Sequence, residues 1–364
     1  MGFELNKSYS GFRLTQKKNI DELKSLGLLF EHEVTKAELM VLENDDDNKV
    51  FSATFRTPPE DDTGIAHILE HSVLCGSKNF PVKEPFVELM KGSLQTFLNA
   101  MTFPDKTMYP VASRNQKDFF NLMHVYLDAV FYPNITEETF KQEGWHYELN
   151  SPKDKVVYKG VVLNEMKGEF SNPESCIDRQ LAHSLFPSTA YGFESGGDPK
   201  NIPDLTYQDF TEFHRKHYHP SNSRLFLYGD GDTQSYLDFL QEKYLQDFAH
   251  MEVNTSIVHQ RSFRKPKRKP MSYPVSSDES LEKKTYVLVG YKLDKAINHE
   301  HCLGFSILSH LLLGSSASPL RKALITSELG SEVMGGGFDD NRADTMFAVG
   351  LKGTELEHEN EILA

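Results

Sequence analysis

The chain has 364 residues, more than one hydrophobic core usually holds, so two domains are expected. Its composition, 38% hydrophobic and 25% charged, is that of a folded globular protein and argues against general disorder. A formal charge of −14 argues against nucleic-acid binding, and the apolar runs are far shorter than the roughly 20 residues of a membrane span.

The cysteines and the N-terminus bear on the compartment. Cys75, Cys176 and Cys302 lie far apart without a CxxC pair, which favours a reducing compartment and indicates neither a disulfide framework nor a thiolate zinc site. The first residues, MGFELNKSYSGF, lack a basic region followed by an apolar one, so no secretion signal is indicated. We expect a cytoplasmic protein, or a protein of the mitochondrial or plastid matrix if a transit peptide has been removed.

The first predicted elements are strands, followed by a short helix. Residues 28–44 and 49–57 alternate apolar and polar side chains around the acidic stretch DDDN, which is typical of antiparallel strands with one face in solvent. The period then becomes helical from about Thr63, which with Asp61 offers N-cap oxygens, and Gly76 is expected to end the helix.

Further helices and strands follow without strict alternation. Residues 116–131 place apolar side chains on one side of a helix, and another helix is predicted to begin near Thr136. Thr206 and Asp209 form a plausible cap for a later helix, and residues 223–230 are typical of a strand. This mixture favours an α+β fold over a doubly wound parallel sheet.

A basic, proline-containing stretch divides the chain. Residues 261–274, RSFRKPKRKPMSYP, have no apolar period, which indicates a linker or an exposed crossing strand. In a chain this acidic a solvated connector is favoured, and contact of the basic residues with an anion or nucleic acid is the alternative. We predict a first domain over 1–262, a linker over 263–274 and a second α+β domain over 275–364. Since a new acidic helix begins at GTELEHENEILA just where the sequence stops, we expect the second domain to be partial and the chain to be the front part of a longer protein.

The stretch HILEH, residues 67–71, places two histidines four positions apart in the predicted helix. Residues four apart lie one turn apart on the same face, so His67 and His71 can direct imidazole nitrogens at one point, with Glu70 beside them. In zinc hydrolases such a pair joins a third protein ligand, and a nearby carboxylate takes the proton of the attacking water. Glu70 is the candidate base. The alternative is a helix face of hydrogen-bonded histidines without a metal.

The stretch VVLNEMKGEF offers a third ligand. Glu165 and Glu169 lie one helical turn apart, and the carboxylate of either residue completes a site with the two histidines. The alternative is that both are ordinary exposed helix glutamates. Helical spacing alone does not choose between the two carboxylates.

Together these motifs resemble a known family. The stretch GIAHILEHSVLCGSKNFPVKEPFVELMKGSLQTFLNAMTFPDKTMYPV, followed by VVLNEMKGEF, SGGDPKNIPDLT and HYHPSNSRLFLYGD, resembles the insulinase (pitrilysin) family of zinc metallopeptidases, and within it the presequence protease branch. The resemblance implies two-layer α/β sandwich domains with mainly antiparallel sheets flanked by helices, forming half of an enzyme that closes around a chamber. It also implies His67, His71 and Glu165 as the ligands of one Zn²⁺ per chain, Glu70 as general base and Glu169 as a residue that orients a ligand.

The resemblance extends to the stretch LQTFLNAMTFPDKT. Part of it matches the edge strand on which the family lays the substrate backbone, whereas the alternative is a plain core strand. The matching positions are Asn99, Ala100, Met101 and Thr102. A crowded set of histidines further on matches a structural segment of the family, so no second metal site is expected at His214, His217 and His219.

The function implied by the resemblance is a zinc-dependent endopeptidase that degrades short unfolded peptides. Its expected partners are unstructured peptides and the C-terminal half of the parent protein, with no nucleic acid and no membrane. In the family, arginine and tyrosine side chains of that half stabilise the oxyanion. Losing one such donor costs about a hundredfold or more in rate, so the chain alone is expected to be weakly active or inactive. The alternative is a non-catalytic scaffold or regulatory subunit of the same fold, although all four motif residues are present.

Overall fold

The structure is a computed structural model that describes residues 2–83 and 85–364. The contacts within the chain divide it into two units. Unit 1 contains the residues up to Asn164 together with Ser195–Thr255, and unit 2 contains Glu165–Glu194 together with Ser256–Ala364.

The strands, numbered in chain order, are β1 (Ser8–Tyr9), β2 (Phe12–Ile20), β3 (Ser25–His32), β4 (Glu38–Glu43), β5 (Lys49–Arg56), β6 (Gln95–Leu98), β7 (Met101–Thr102), β8 (Lys106–Ser113), β9 (His146–Glu148), β10 (Val157–Lys159), β11 (Ser223–Gly229), β12 (Thr285–Lys295), β13 (Glu332–Asp339) and β14 (Asp344–Thr354).

The α-helices, numbered in the same way, are α1 (Ile65–Val73), α2 (Pro85–Gly92), α3 (Gln116–Phe131), α4 (Glu137–Glu143), α5 (Val161–Glu169), α6 (Pro173–Leu185), α7 (Tyr207–His217), α8 (Thr233–Lys243), α9 (His299–Leu313), α10 (Pro319–Thr326) and α11 (Glu359–Leu363). In the described part of the chain, none of the helices combines the length and the apolar character needed to cross a bilayer.

Unit 1 is built on a nine-stranded sheet. Its strand order is β1-β2-β3-β4-β11-β5-β8-β6, and β7 also pairs with β8. All neighbours are antiparallel except β4 and β11, which are parallel. The strands on the two sides of the acidic turn do not pair with each other, because β11 lies between β4 and β5. Mainly antiparallel strands mixed with helices confirm the predicted α+β class.

Helices α3, α4 and α7 of unit 1 each begin after a residue whose side chain caps the helix. Helix α3 starts after Asn115, whose side chain accepts a hydrogen bond from the Asp118 amide at 3.0 Å. Thr136 caps α4 in the same way, and Thr206 caps α7 through the amide of Asp209. The apolar face predicted for α3 is buried except for the partly buried Phe120, and its members are Phe119, Met123, Tyr126, Leu127 and Val130.

Helix α1 begins differently from the prediction. Its N-cap is Gly64, in the left-handed region at φ 69°, with no side-chain cap. The Asp61 carboxylate instead accepts hydrogen bonds from the amide and the hydroxyl of Thr63, so it stabilises the turn that precedes the helix. Gly76 follows the end of the helix at φ 126°, a conformation that favours glycine, as expected of a residue after a helix end.

Unit 2 contains the three-stranded antiparallel sheet β12-β14-β13 and the helix α6. Leu181 of α6 approaches so closely that a Cβ at Gly290 of β12 would lie 2.5 Å from it. The hydroxyl of Tyr191 accepts a hydrogen bond from the Ala343 amide at 2.8 Å. These contacts explain why residues 165–194 group with the later part of the chain.

The predicted linker, residues 263–274, lies wholly within the described chain and contains no helix or strand. Its role as a linker, like the predicted catalytic domain over 1–262 and the partial domain over 275–364, stays a prediction.

Candidate metal centre

The HILEH motif lies on α1, and close backbone packing fixes where this helix starts. A Cβ at Gly64 would lie 2.6 Å from both the Gly196 carbonyl oxygen and the Gly197 Cα, so only glycine allows the two segments to approach. Three residues further on, His67 is 8% exposed. Glu70 is also 8% exposed, so the motif forms the buried side of its helix.

The two histidines face each other across one helical turn. Their ring centroids are 5.0 Å apart with an interplanar angle of 78°. Nδ1 of His67 lies 3.2 Å from the Gly196 carbonyl oxygen, and Nδ1 of His71 lies 3.3 Å from Oε2 of Glu143. A carbonyl oxygen and an ionised carboxylate only accept, so Nδ1 carries the proton in both rings. Nε2 is then the nitrogen that each ring would offer to a metal.

Glu143, the last residue of α4, is a buried partner of this motif that the sequence did not reveal. It is 6% exposed, and its Oε1 accepts a hydrogen bond from Nε2 of Gln142 at 2.8 Å. Burial by itself raises the pKa of Glu143, but hydrogen bonds from His71, Gln142 and Cys75 outweigh burial and hold the pKa below its ordinary value. The carboxylate beside His71 is therefore ionised.

Two glycines bring the helices of the site together. A Cβ at Gly144, directly after α4, would lie 3.2 Å from the Ile68 side chain of α1. A Cβ at Gly160, directly before α5, would lie 1.9 Å from the Gly144 carbonyl oxygen. The absence of side chains at these positions lets the end of α4 pack against α1 and lets α5 begin beside it.

The Glu165 carboxylate lies close to the two imidazole rings. Ligand atoms of His67, His71 and Glu165 all lie within 4.8 Å of one another. Glu165 stands on α5, whose first turn is anchored by the fully buried Val162 and Leu163, and the boundary between the two units falls within this helix. Glu169, by contrast, is not part of the group, and its Oε2 accepts a hydrogen bond from the Ser175 hydroxyl at 3.2 Å.

The donor set fits a zinc ion. Two imidazole nitrogens and one carboxylate oxygen are the three protein ligands of many catalytic zinc sites, which keep a fourth position for water or substrate. Magnesium and calcium prefer sites made of oxygen ligands, and thiolate sites need cysteines that this group lacks. Glu165 is exposed, whereas His67 is 8% exposed, so one of the three candidate ligands is open to solvent.

The predicted substrate strand lies at the edge of the sheet. Strand β6 ends the strand order, and the adjoining β7 also pairs with β8. Asn99 and Ala100 fall between these two short strands, whereas Met101 and Thr102 form β7. The Tyr126 hydroxyl of α3 donates to the Asn99 carbonyl oxygen at 3.2 Å. Burial raises the pKa of Tyr126, and the charge of Glu70 raises it further.

The other crowded histidines have structural contacts. His214 Nε2 donates to the Val130 carbonyl oxygen at 2.9 Å, and His217 Nδ1 donates to that of Phe213 at 3.1 Å. His219 accepts from the Ser221 amide at the start of a 3₁₀ turn. In the described chain these histidines belong to no group of candidate ligands.

Sequence reasoning missed three parts of the site. Glu143, the Gly196 carbonyl and the Tyr126 hydroxyl reach the site through tertiary packing, and no fixed spacing links them to HILEH. The glycines that permit the packing were the only local signal. A glycine at 144 immediately after the predicted helix, and another at 160 before VVLNE, indicate close backbone contacts but not their partner.

Comparison with known proteins identifies the family. A family model described as insulinase, peptidase family M16, matches residues 55–170, and one described as the peptidase M16 inactive domain matches residues 204–364. Protein HypA of Clostridium perfringens is 52% identical over 99% of this chain and 37% of that protein. Presequence protease 1, chloroplastic/mitochondrial, of Arabidopsis thaliana is 50% identical over 97% of this chain and 33% of that protein. The mitochondrial presequence protease of Mus musculus is 39% identical over 96% of this chain and 34% of that protein.

The chain thus spans about a third of the length of the curated relatives it matches. Among solved structures, pitrilysin superposes with a TM-score of 0.65 at 15% identity, covering 94% of this chain and 35% of that chain. An M16-like peptidase from Alicyclobacillus acidocaldarius superposes with a TM-score of 0.68 at 16% identity, covering 95% and 78%. These likenesses confirm the predicted fold. With two family models that together match most of its length, the chain belongs to the insulinase family, peptidase family M16.

Proposed function

We propose that this chain carries the catalytic centre of a zinc-dependent endopeptidase that degrades short unstructured peptides. The observation that carries the proposal is the approach of His67, His71 and Glu165 to within 4.8 Å, with Glu70 on the same helix as the histidines. The relatives named presequence proteases support the substrate class, since a presequence is a short peptide segment. The plastid and mitochondrial relatives also support an organelle matrix as one compartment for such an enzyme.

The side chains have distinct roles in this proposal. His67, His71 and Glu165 would hold the zinc ion, which when bound polarises the scissile carbonyl and lowers the pKa of water. The buried Glu70 carboxylate accepts the proton of the attacking water and returns it to the leaving amine nitrogen. The Gly196 carbonyl and the Glu143 carboxylate keep the two imidazole rings in place through Nδ1.

The edge of the sheet would bind the substrate backbone. An extended peptide added beside β6 and β7 hydrogen-bonds through its main chain, so binding depends little on sequence. Such binding requires an unfolded substrate, because a folded protein cannot present a free strand. The positions that we propose for this contact are Asn99, Ala100, Met101 and Thr102. The nearby side chain of Phe97 is exposed and would contact a substrate side chain.

The replacement Glu70→Gln tests the proposed base. We expect the variant to bind Zn²⁺ as the parent does, because the three ligands are intact, and to lose cleavage of an unstructured peptide by at least a hundredfold, the lower end of a general-base contribution. Zinc content is measured on the 364-residue chain, and cleavage both on that chain and on a full-length polypeptide that contains it. Glu212→Gln, an exposed glutamate of α7, is the matched control and should change neither quantity.

A second candidate function is a non-catalytic subunit of the same fold. The match of residues 204–364 to a model described as an inactive domain favours this alternative for that part of the chain. Zinc binding combined with Glu70-dependent cleavage would exclude it. A parent chain that binds no zinc, or a Glu70→Gln variant as active as the parent, would refute the catalytic proposal.

A further inference from the structure

We propose that Glu143 is a positioning residue of the metal centre, which holds the His71 ring through Nδ1 and strengthens its binding to the metal. The inference rests on the proposed function. It names a carboxylate outside HILEH and outside VVLNEMKGEF, the two segments that contain the proposed ligands and base.

The buried carboxylate of Glu143 has His71 as its main partner. Among the described residues its single ion-pair partner is His71, whose Nδ1 lies 3.3 Å from Oε2. The other oxygen is occupied by Nε2 of Gln142 at 2.8 Å and approached by Sγ of Cys75 at 3.7 Å. Burying a carboxylate is costly unless a charge or hydrogen bonds compensate for the lost solvation. A buried glutamate without lysine or arginine is therefore best explained by its contact with His71.

The contact explains how His71 is oriented. A neutral imidazole has one protonated nitrogen, and the Glu143 carboxylate fixes that proton at Nδ1, so Nε2 keeps its lone pair. The negative charge also makes the ring a stronger electron donor, as in the carboxylate–histidine pairs of other zinc sites. His67 has a neutral carbonyl oxygen, that of Gly196, in the equivalent place. The two rings are thus held by partners of different charge, and the charged partner should affect metal affinity more.

The backbone makes this contact rigid. Glu143 ends α4, and the close approach of Gly144 to Ile68 presses this helix end against α1. The chain then returns to Gly160, which packs on the Gly144 carbonyl at the start of α5. The same backbone contacts that place Glu143 beside His71 therefore also set the start of the helix that holds Glu165.

Glu212 provides a matched control. It is an exposed glutamate of α7, outside the segments that contain the proposed ligands and base. If Glu143 orients a ligand, replacing Glu143 changes metal binding, whereas the same replacement at Glu212 does not. The orienting role expected of Glu169 stays a separate prediction.

The experiment measures Zn²⁺ affinity by competition with a chelator in the 364-residue chain. Glu143→Ala should weaken binding by about 10- to 100-fold, the usual effect of removing the partner of a metal-bound histidine. Glu143→Gln keeps a hydrogen-bond acceptor but loses the charge, so a smaller loss in the same direction is expected. Glu212→Ala and Glu212→Gln should match the parent. With Co²⁺ in place of Zn²⁺, the visible absorption bands should shift in Glu143→Gln, a change that a purely structural role would not produce.

The outcomes separate this inference from the proposed function. If the parent chain binds neither ion, the proposed function fails. If the parent binds zinc, and Glu143→Ala and Glu143→Gln bind it equally tightly with an unchanged cobalt spectrum, the positioning role is overturned while the metal site stands. If Glu143→Ala does not fold, the nearly isosteric Glu143→Gln decides the question, with thermal unfolding of the metal-free protein as the measure of intact structure.

Discussion

At the scale of single residues, Gly64 is the position where one added methyl group should disturb both the fold and the metal site. Its φ of 69° is strained for alanine, and the new Cβ would lie 2.6 Å from the Gly196 carbonyl oxygen. Since that oxygen holds Nδ1 of His67, the displacement should reach the ligand. Gly64→Ala is expected to destabilise the protein by roughly 1–3 kcal/mol and to weaken zinc binding.

Urea unfolding and chelator competition measure the two effects. Gly92, the last residue of α2, is the control, because a Cβ there meets no atom within 4 Å and its φ is not positive. Gly92→Ala should leave stability within about 0.5 kcal/mol of the parent and leave zinc affinity unchanged. Equal effects of the two substitutions would show that the close approach at Gly64 is not what sets the start of α1.

The residues of the site differ in how far the sequence could predict them. The spacing within HILEH is local, so helical geometry alone placed His67, Glu70 and His71 together. Glu165 and Glu169 share one helix, and only tertiary packing distinguishes the carboxylate beside the histidines from the one beside Ser175. Glu143 comes from another helix altogether. Such a contact depends on how α4 packs on α1, which no pattern within either segment records.

At the scale of elements, the edge formed by β6 and β7 depends on a tether from α3. The Tyr126 hydroxyl donates to the carbonyl oxygen of Asn99, between the two strands. Tyr126→Phe removes this bond and leaves a carbonyl without its partner, at a cost of about 1–3 kcal/mol. Amide hydrogen exchange of residues 99–102 should become faster by on the order of tenfold, and an unstructured peptide should bind more weakly to the inactive Glu70→Gln protein.

The control for this tether is Tyr207→Phe in α7. The Tyr207 hydroxyl donates to the Ile135 carbonyl oxygen at 2.8 Å, a bond of the same kind in which no residue of β6 or β7 takes part, so its loss should leave exchange of residues 99–102 unchanged. An edge that exchanges at the parent rate after Tyr126→Phe would mean that pairing with β8 alone holds β6 and β7.

The helices and strands themselves can be predicted from the sequence better than the pairing between the strands. Capping residues and apolar periodicity are local signals, and they placed α3, α4 and α7 correctly, whereas Gly64 replaced the expected side-chain cap of α1. Pairing in a sheet is non-local. The insertion of β11 between β4 and β5 joins segments from opposite ends of unit 1, and alternation of apolar residues specifies a strand without specifying its partner.

At the scale of the whole molecule, the order of the chain does not match its division into units. Residues 165–194 group with unit 2, although the chain returns to unit 1 at Ser195. The return brings Gly196 and Gly197 against Gly64, and so brings the Gly196 carbonyl to His67. A segment that returns to unit 1 thus supplies the carbonyl contact of His67, although 30 residues of unit 2 precede it in the chain.

Stability of the whole molecule should fall in mild acid because of two histidines in α7. Burial lowers the pKa of His214 to about 4 and that of His217 to about 4, below the ordinary value near 6.5. His217 is 2% exposed, and beside it Lys216 lowers and Glu60 raises its pKa to smaller extents. The folded rings stay neutral while the unfolded chain takes up protons between pH 6.5 and 4. The stabilisation is complete above pH 6.5 and is lost as the pH falls towards 4.

The pH dependence of urea unfolding measures this loss, which amounts to on the order of 2–3 kcal/mol for each histidine at about 1.4 kcal/mol per pKa unit. His217→Gln removes one titrating group while keeping a side chain that can donate a hydrogen bond to the Phe213 carbonyl. The variant should therefore lose less stability than the parent between pH 7 and 4.5, even if it starts from a lower value. His299→Gln, an exposed histidine of α9, should keep the slope of the parent. A His217→Gln slope as steep as that of the parent would mean that the ring is already protonated in the folded state, and that burial in α7 does not keep it neutral.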